Sequence, residues 1–335
     1  MSAGKKTLLW FHRFVIIIGL ITLFFLVEHL GPARILAHIR EFGVWGFLAI
    51  LPIPILEQSL NAWAWRFTLA PQDAGKVPFI SLAKGRLAGD GVNYLTPSAT
   101  VAGEFVRPPF LGSELSSEVK NASVFIGKLS QSLGQMAFIL VGILFLLLRK
   151  MDALGNGEIR WIVLGALFVA GLIAFSLFIL SYQNKQGRFI CDVGGPSVSG
   201  IRSNMRRYLL AHPIRMGLSV LFFTVGYASM MIEVAVICSF MNLPIGALRA
   251  LVIEALSNAF EAVFFMVPAK LGTQEAGKVL IFKAFGYTAG QGLSFAIIRH
   301  IREILWSSFG FLIYLRARAG TMKQPNVLEP LKYAD

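Results

Sequence analysis

Asp90–Arg107 reads DGVNYLTPSATVAGEFVR, and Glu261–Lys278 reads EAVFFMVPAKLGTQEAGK. Both follow one template: an acid, six residues, proline, six residues, glutamate, two residues, then a base. An ionisable side chain in the middle of a bilayer costs on the order of 3 kcal/mol, so such residues are rare there and tend to mark substrate paths or proton relays. What these stretches mean depends on whether the chain around them lies in a membrane.

Composition answers that first. The 335 residues are 56% hydrophobic and 15% charged, with mean hydropathy +0.66. A soluble domain carries about 25% charged residues. Windows able to supply the ~20 apolar residues of a membrane-crossing helix are Phe14–Val27 with its flanks, Gly43–Ala70, Val124–Leu148, Trp161–Tyr182, Met216–Met241 and Ser294–Leu315. The strict alternation of barrel strands is missing. These features predict an all-α polytopic membrane protein. The basic, apolar N-terminus lacks a small-x-small cleavage site and reads as an uncleaved first span. Cys191 and Cys238 have no metal or redox spacing.

Net charge is +13 with pI about 10.0. The bases concentrate in loops, where they orient spans and attract anionic lipid, so no nucleic-acid partner is expected. The loop 183–215 carries Lys185, Arg188, Arg202, Arg206, Arg207 and Arg215. The positive-inside rule places it in the cytoplasm with both termini. That placement holds only if residues 79–112 enter and leave on one face, as a re-entrant hairpin. The same count makes 245–284 a second hairpin, entering from the opposite face.

The halves then match. Span 43–70, a hairpin and span 117–148 recur as 214–241, 245–284 and 288–315. The expected architecture is one membrane domain over 1–335. It comprises a first repeat of about 43–148, a linking span 160–182, the basic loop 183–215, an inverted second repeat of about 214–315 and a cytoplasmic tail 316–335. Inverted repeats with broken helices are a common transporter plan, with the substrate near the midplane.

Pro97 and Pro268 cannot continue a helical ladder, and each is expected to end one half-helix and start the next. Such breaks free backbone N–H groups that must be buried or line a polar cavity, and helix starts attract anions. Glu104 and Arg107, like Glu275 and Lys278, share a helix face at a spacing of three. They either neutralise each other within the helix or line a hydrophilic path. Crowding by Arg86, Asp90, Asn93, Glu254, Asn258, Glu261, Lys270 and Gln274 on the same hairpins favours the path.

Other polar positions carry smaller expectations. Glu57, Asn61 and Arg66 on one span, and Lys128, Gln131 and Gln135 on another, face the same cavity or bond neighbouring helices. Arg299, Arg302 and Glu303 read as a structural clamp first and a site second, with Arg299–Glu303 an i, i+4 pair. His12, His29, His38, His212 and His300 are scattered without ligand spacing, so neither a metal nor another cofactor is expected. LGPARILAHIREFG after the first span reads as an interfacial amphipathic helix. No phosphate-binding loop or nucleophile constellation stands out.

AWRF, then GDGVNYLTPSATVAGE with Arg107 after it, and later VPAKLGTQEAG followed by RHIRE, resemble the flippase-like transmembrane family named for the membrane domain of lysylphosphatidylglycerol synthase. The hopanoid-biosynthesis-associated branch of that family is the most similar. The resemblance covers roughly residues 40 to 315. Asn93, Pro97, Gly103, Glu104 and Arg107 match in the first motif, and Pro268, Gly272, Gln274 and Glu275 in the second. Asp90 stands where the family pattern has glutamate, Ala102 where it often has glycine, and GKLSQ replaces a Glu-Arg pair. The family's aminoacyltransferase domain is missing from this sequence.

The resemblance implies movement of a polar- or anionic-headgroup lipid, a hopanoid or glycolipid precursor being one candidate, between leaflets of a bacterial inner membrane. The expected contacts are Glu104, Arg107, Lys270 and Glu275, with Asp90, Asn93, Pro97, Glu261, Pro268, Gln274 and Lys278 around them. Arg86, Glu254, Asn258, Arg299, Arg302 and Glu303 form a secondary set. Protons are the candidate coupling ion, through Asp90, Glu104, Glu261 or Glu275. Two other classes stand beside this one: a membrane transferase acting on a lipid-linked substrate, and a non-transporting partner of lipid-synthesis enzymes.

Overall fold

Two residue types shape the first described span. Gly43 adopts φ +59° and ψ −176°, a region essentially reserved for glycine, and turns the chain inside helix α1 (Pro32–Ile50). Pro52 lacks the N–H that would continue the ladder and separates α1 from α2 (Ile53–Arg66). The structure, a computed structural model, describes residues 28, 32–95, 102–148, 198–264, 270 and 272–322. The expected spans 14–27 and 160–182, both hairpin tips and the tail beyond residue 322 lie outside the described residues. A Gly43→Ala variant should lose about 1–3 kcal/mol, although a Cβ there would meet nothing within 4 Å. A melting temperature unchanged from wild type in detergent would contradict this origin of the bend.

Beyond α2 the order is α3 (Phe79–Leu95), the short α4 (Ala102–Val106), a 3₁₀ turn at Pro108–Leu111 and the long α5 (Ser117–Leu148). After residue 197 come α6 (Val198–Ala211), α7 (Pro213–Ser229), α8 (Met231–Phe240), α9 (Ala247–Val263), α10 (Thr273–Ala284) and α11 (Ala289–Met322). Every regular element among the described residues is helical.

Among the described residues three helical stretches are long and apolar enough to cross a membrane: Ile39–Arg66, running on from α1 through α2, Ser117–Leu148, which is α5, and Pro213–Phe240, which is α7 with α8. The fold is therefore a helical membrane fold. The window Ser294–Leu315 is helical within the 34 residues of α11, but Arg299, Arg302 and Glu303 interrupt its apolar run. On the outside of α5, Leu144, Leu147 and Leu148 are exposed, and Leu305, Phe309 and Leu312 do the same on α11. Against lipid these surfaces are solvated, and polarity is turned inward.

The two halves interleave. α3 packs along α11, α9 packs along α5, and α2 packs along α7. The α3–α11 crossing is backbone to backbone: a Cβ on Gly91 would stand 2.6 Å from the Ser307 carbonyl oxygen. Small residues at helix crossings allow such approach in membranes, where packing rather than hydrophobicity drives association. At the other end, Arg215 of α7 donates to the Leu69 carbonyl at 3.0 Å and the Arg66 carbonyl at 3.1 Å. It thereby caps the frayed end of α2.

Candidate functional site

The template residues meet in pairs. In both stretches the first acid bonds the base seventeen positions on: Arg107 Nη2 donates to Asp90 Oδ1 at 2.7 Å, and Lys278 Nζ to Glu261 Oε1 at 2.9 Å. Each pair ties two neighbouring segments of the chain together, α3 to the segment after α4 and α9 to α10. Arg107 and Lys278 are 3% and 1% exposed, so their charges are balanced by these acids and not by water.

Around Asp90 the first hub has three bases. Arg86, one turn earlier on α3, reaches Asp90 Oδ2 at 3.8 Å, and its guanidinium lies over the Phe223 ring at 5.3 Å. Arg107 also donates to Glu104, whose Oε1 stands 3.3 Å from Lys128 Nζ on α5. Gln58 of α2 donates to Asp90 at 3.2 Å. The expected Asn93 contact is internal: its Oδ1 accepts the Gly103 N–H at 2.7 Å, pinning the start of α4 against α3.

In the second half Glu275 and Lys278 do not bond each other, although pairing within the helix is one of the two readings of their spacing. Lys278 turns to Glu261 on α9, and Glu275 Oε1 lies 2.6 Å from His300 Nδ1 on α11. Lys270 also donates to Glu261. It holds φ +54°, a left-handed conformation uncommon for residues other than glycine. Thr273 Oγ1 closes the turn on the Lys270 carbonyl at 3.0 Å.

Deeper still, α11 supplies two guanidinium forks. Arg299 bonds Glu254 of α9 with both terminal nitrogens, one at 2.8 Å. Arg302 grips Glu233 of α8 with Nε and Nη2, each at 2.7 Å. Glu303 sits 3.5 Å from Arg299 and 3.8 Å from Arg302, and accepts from Gln274 at 3.2 Å. The Arg299–Glu303 pair read from spacing thus exists as a side contact. The main partner of Arg299 is 45 positions away.

α5 bridges the two hubs with a polar stripe. Lys128 faces Glu104, Gln131 donates to the Tyr227 hydroxyl at 3.2 Å, and Gln135 donates to Asn258 Oδ1 at 3.5 Å. Asn258 in turn donates to Glu254 at 2.9 Å. On the hairpin side, the Tyr94 ring lies edge-on to His300 at 6.2 Å. These stripe residues thus bond neighbouring helices, which is one of the two readings made of them.

Some expectations fall elsewhere. Pro97 and Pro268, with Ser98 and Thr100, lie outside the described residues, and so do the half-helix starts assigned to them. Arg66 points to the far end of α2, near the Val77 carbonyl and the Trp63 ring, away from both hubs. Among the described residues no group of His, Cys, Asp and Glu is arranged to hold a metal. Sequence reasoning missed Glu233 and the pairing of His300. Glu233 had a signal, since MMIEVAVICSF places one acid in an otherwise apolar run, and a lone buried acid requires a base.

The family described as lysylphosphatidylglycerol synthase TM region matches residues 10–308. No curated protein and no solved structure matches the chain.

Proposed function

The chain belongs to the lysylphosphatidylglycerol synthase TM-region family, and from that premise we propose that it moves a lipid with an anionic or polar headgroup between leaflets. One observation carries this reading. Asp90, Lys128 and Lys270 have side chains 34%, 36% and 34% exposed, while the charges beside them are sealed. A network that served packing alone has no need to present ions at its rim. A headgroup phosphate can displace water from Lys128 and Lys270 while its tails stay among the apolar outer faces.

The inverted repeat with two re-entrant hairpins is part of the same proposal. Its support is reciprocal packing: the outgoing arm of each hairpin lies along the closing span of the other half, and the opening spans α2 and α7 face each other. The shared acid–base link over seventeen positions supports it further. The loop charges support cytoplasmic termini, and the motif likeness supports a bacterial inner membrane. The motif likeness supports the hopanoid-associated branch, and with it a hopanoid or glycolipid precursor as cargo and lipid-synthesis enzymes as neighbours.

The test is reconstitution into vesicles of phosphatidylethanolamine and phosphatidylglycerol with a trace of fluorescent phosphatidylglycerol. Wild-type protein should speed exchange of the probe between leaflets. Lys128→Gln and Lys270→Gln should each slow it about tenfold, because a hydrogen bond to a charged group contributes ~1.5–3 kcal/mol. Their folding should be intact, since rim ion pairs contribute little. No acceleration by folded wild-type protein would refute transport of this lipid class. A covalently altered lipid would point instead to a transferase.

A further inference from the structure

Every carboxylate in the two hubs has a basic partner except one. Asp90 and Glu104 face Arg86, Arg107 and Lys128. Glu233, Glu254 and Glu303 share Arg299 and Arg302. Glu261 holds Lys270 and Lys278, and Glu275 holds His300. With the imidazole neutral, these acids and bases balance one for one. Glu57 of α2 is left over. Its half-buried carboxyl forms no hydrogen bond or ion pair among the described residues, although the next residue, Gln58, bonds Asp90 in one hub and Glu57 itself feels the charges of both hubs.

The groups that act on Glu57 come from several elements: Asp90 on α3, Glu254 on α9, and Arg299 and Arg302 on α11. The Tyr227 phenol on α7 also feels its charge. α5 contributes Lys128, which acts on Asp90 and is held by Glu104. Arg40 and Glu41 of α1 are exposed. Both guanidinium groups near Glu57 are committed to other acids by paired hydrogen bonds. Glu57 therefore brings either a surplus negative charge or a proton.

We propose that Glu57 is the proton-binding carboxyl of the transport cycle, protonated when the polar interior is otherwise balanced and ionised when an added positive charge compensates it. An anionic headgroup entering the interior adds negative charge and so favours the protonated form, which couples lipid entry to proton uptake. This assignment rests on the transport reading above and moves coupling away from Asp90, Glu104, Glu261 and Glu275. Those four are held by cationic partners or, for Glu275, by His300, and giving up a partner would strand an unpaired buried charge. Glu57 can gain or lose a proton without breaking a pair.

Two measurements test it on the purified, reconstituted full chain. Fluorescent phosphatidylglycerol exchange, run with and without a pH gradient, should be stimulated by the gradient several-fold in wild type and in Glu57→Asp. Glu57→Gln should exchange lipid at the ungradiented rate regardless of the gradient. Infrared difference spectra on pH change should show a protonated-carboxyl band in wild type that is missing from Glu57→Gln. Retained stimulation in Glu57→Gln, or a band that survives the substitution, overturns the proposal. If wild type moves no lipid under any gradient, the coupling role falls with the transport reading. The infrared band then reports separately whether Glu57 is the titrating group.

Discussion

An Arg302→Ala variant is expected to lose most of its folded protein. Arg302 holds Glu233 with two bonds of 2.7 Å, and Glu233 is 0% exposed. Without that guanidinium the nearest remaining cation is Arg299 Nε at 3.5 Å, already committed to Glu254. Removing one partner of a buried pair costs about 3–5 kcal/mol, a large part of the ~5–15 kcal/mol that typically holds a domain folded. The fluorescence-detected size-exclusion peak should fall and the melting temperature should drop. Adding Glu233→Gln should restore part of the loss, because the stranded charge is then gone. A single variant that melts with wild type would mean that water reaches Glu233, against its complete burial.

Arg107→Lys should fold and yet transport poorly. A lysine keeps the positive charge but offers a compact ammonium in place of a planar fork. Arg107 uses different terminal nitrogens for Asp90 and Glu104, so it spans the two acids as a rigid bracket. An ammonium reaches one well and the other badly. Loss of one charge-assisted hydrogen bond, ~1.5–3 kcal/mol, converts to a roughly tenfold to hundredfold fall in lipid exchange if the bracket shapes the headgroup site. Melting temperature and initial exchange rate, measured on the same preparation, separate the two effects. A wild-type rate in the folded variant would remove the bracket from the mechanism.

Much of this protein was legible residue by residue. The spans at 43–70, 117–148 and 214–241 follow from apolar length, and the structure has helices in all three places. The breaks at Gly43 and Pro52, at and within the segment read as one span 43–70, came only with the structure, though the special backbones of those residues explain them. The template pointed to the right neighbourhoods, since Asp90, Arg107, Glu261 and Lys278 are all in the buried network. It did not foresee the partner of Glu275, overlooked Glu233 and gave His300 no role. Each of those omissions concerns a partner on another helix.

Chain chemistry alone therefore determined that this protein lives in a membrane, where its helices run and which segments carry ions. These are local properties, because transfer from water to lipid is summed along a short stretch of backbone. Only the tertiary structure decided who neutralises whom. Arg302 finds Glu233 at a separation of 69 residues and Arg299 finds Glu254 at 45, distances over which spacing rules say nothing. In a low-dielectric interior each charge takes the opposite charge that packing brings nearest, and packing is set by how α3, α9 and α11 cross. The same packing leaves Glu57 without a basic partner among the described residues.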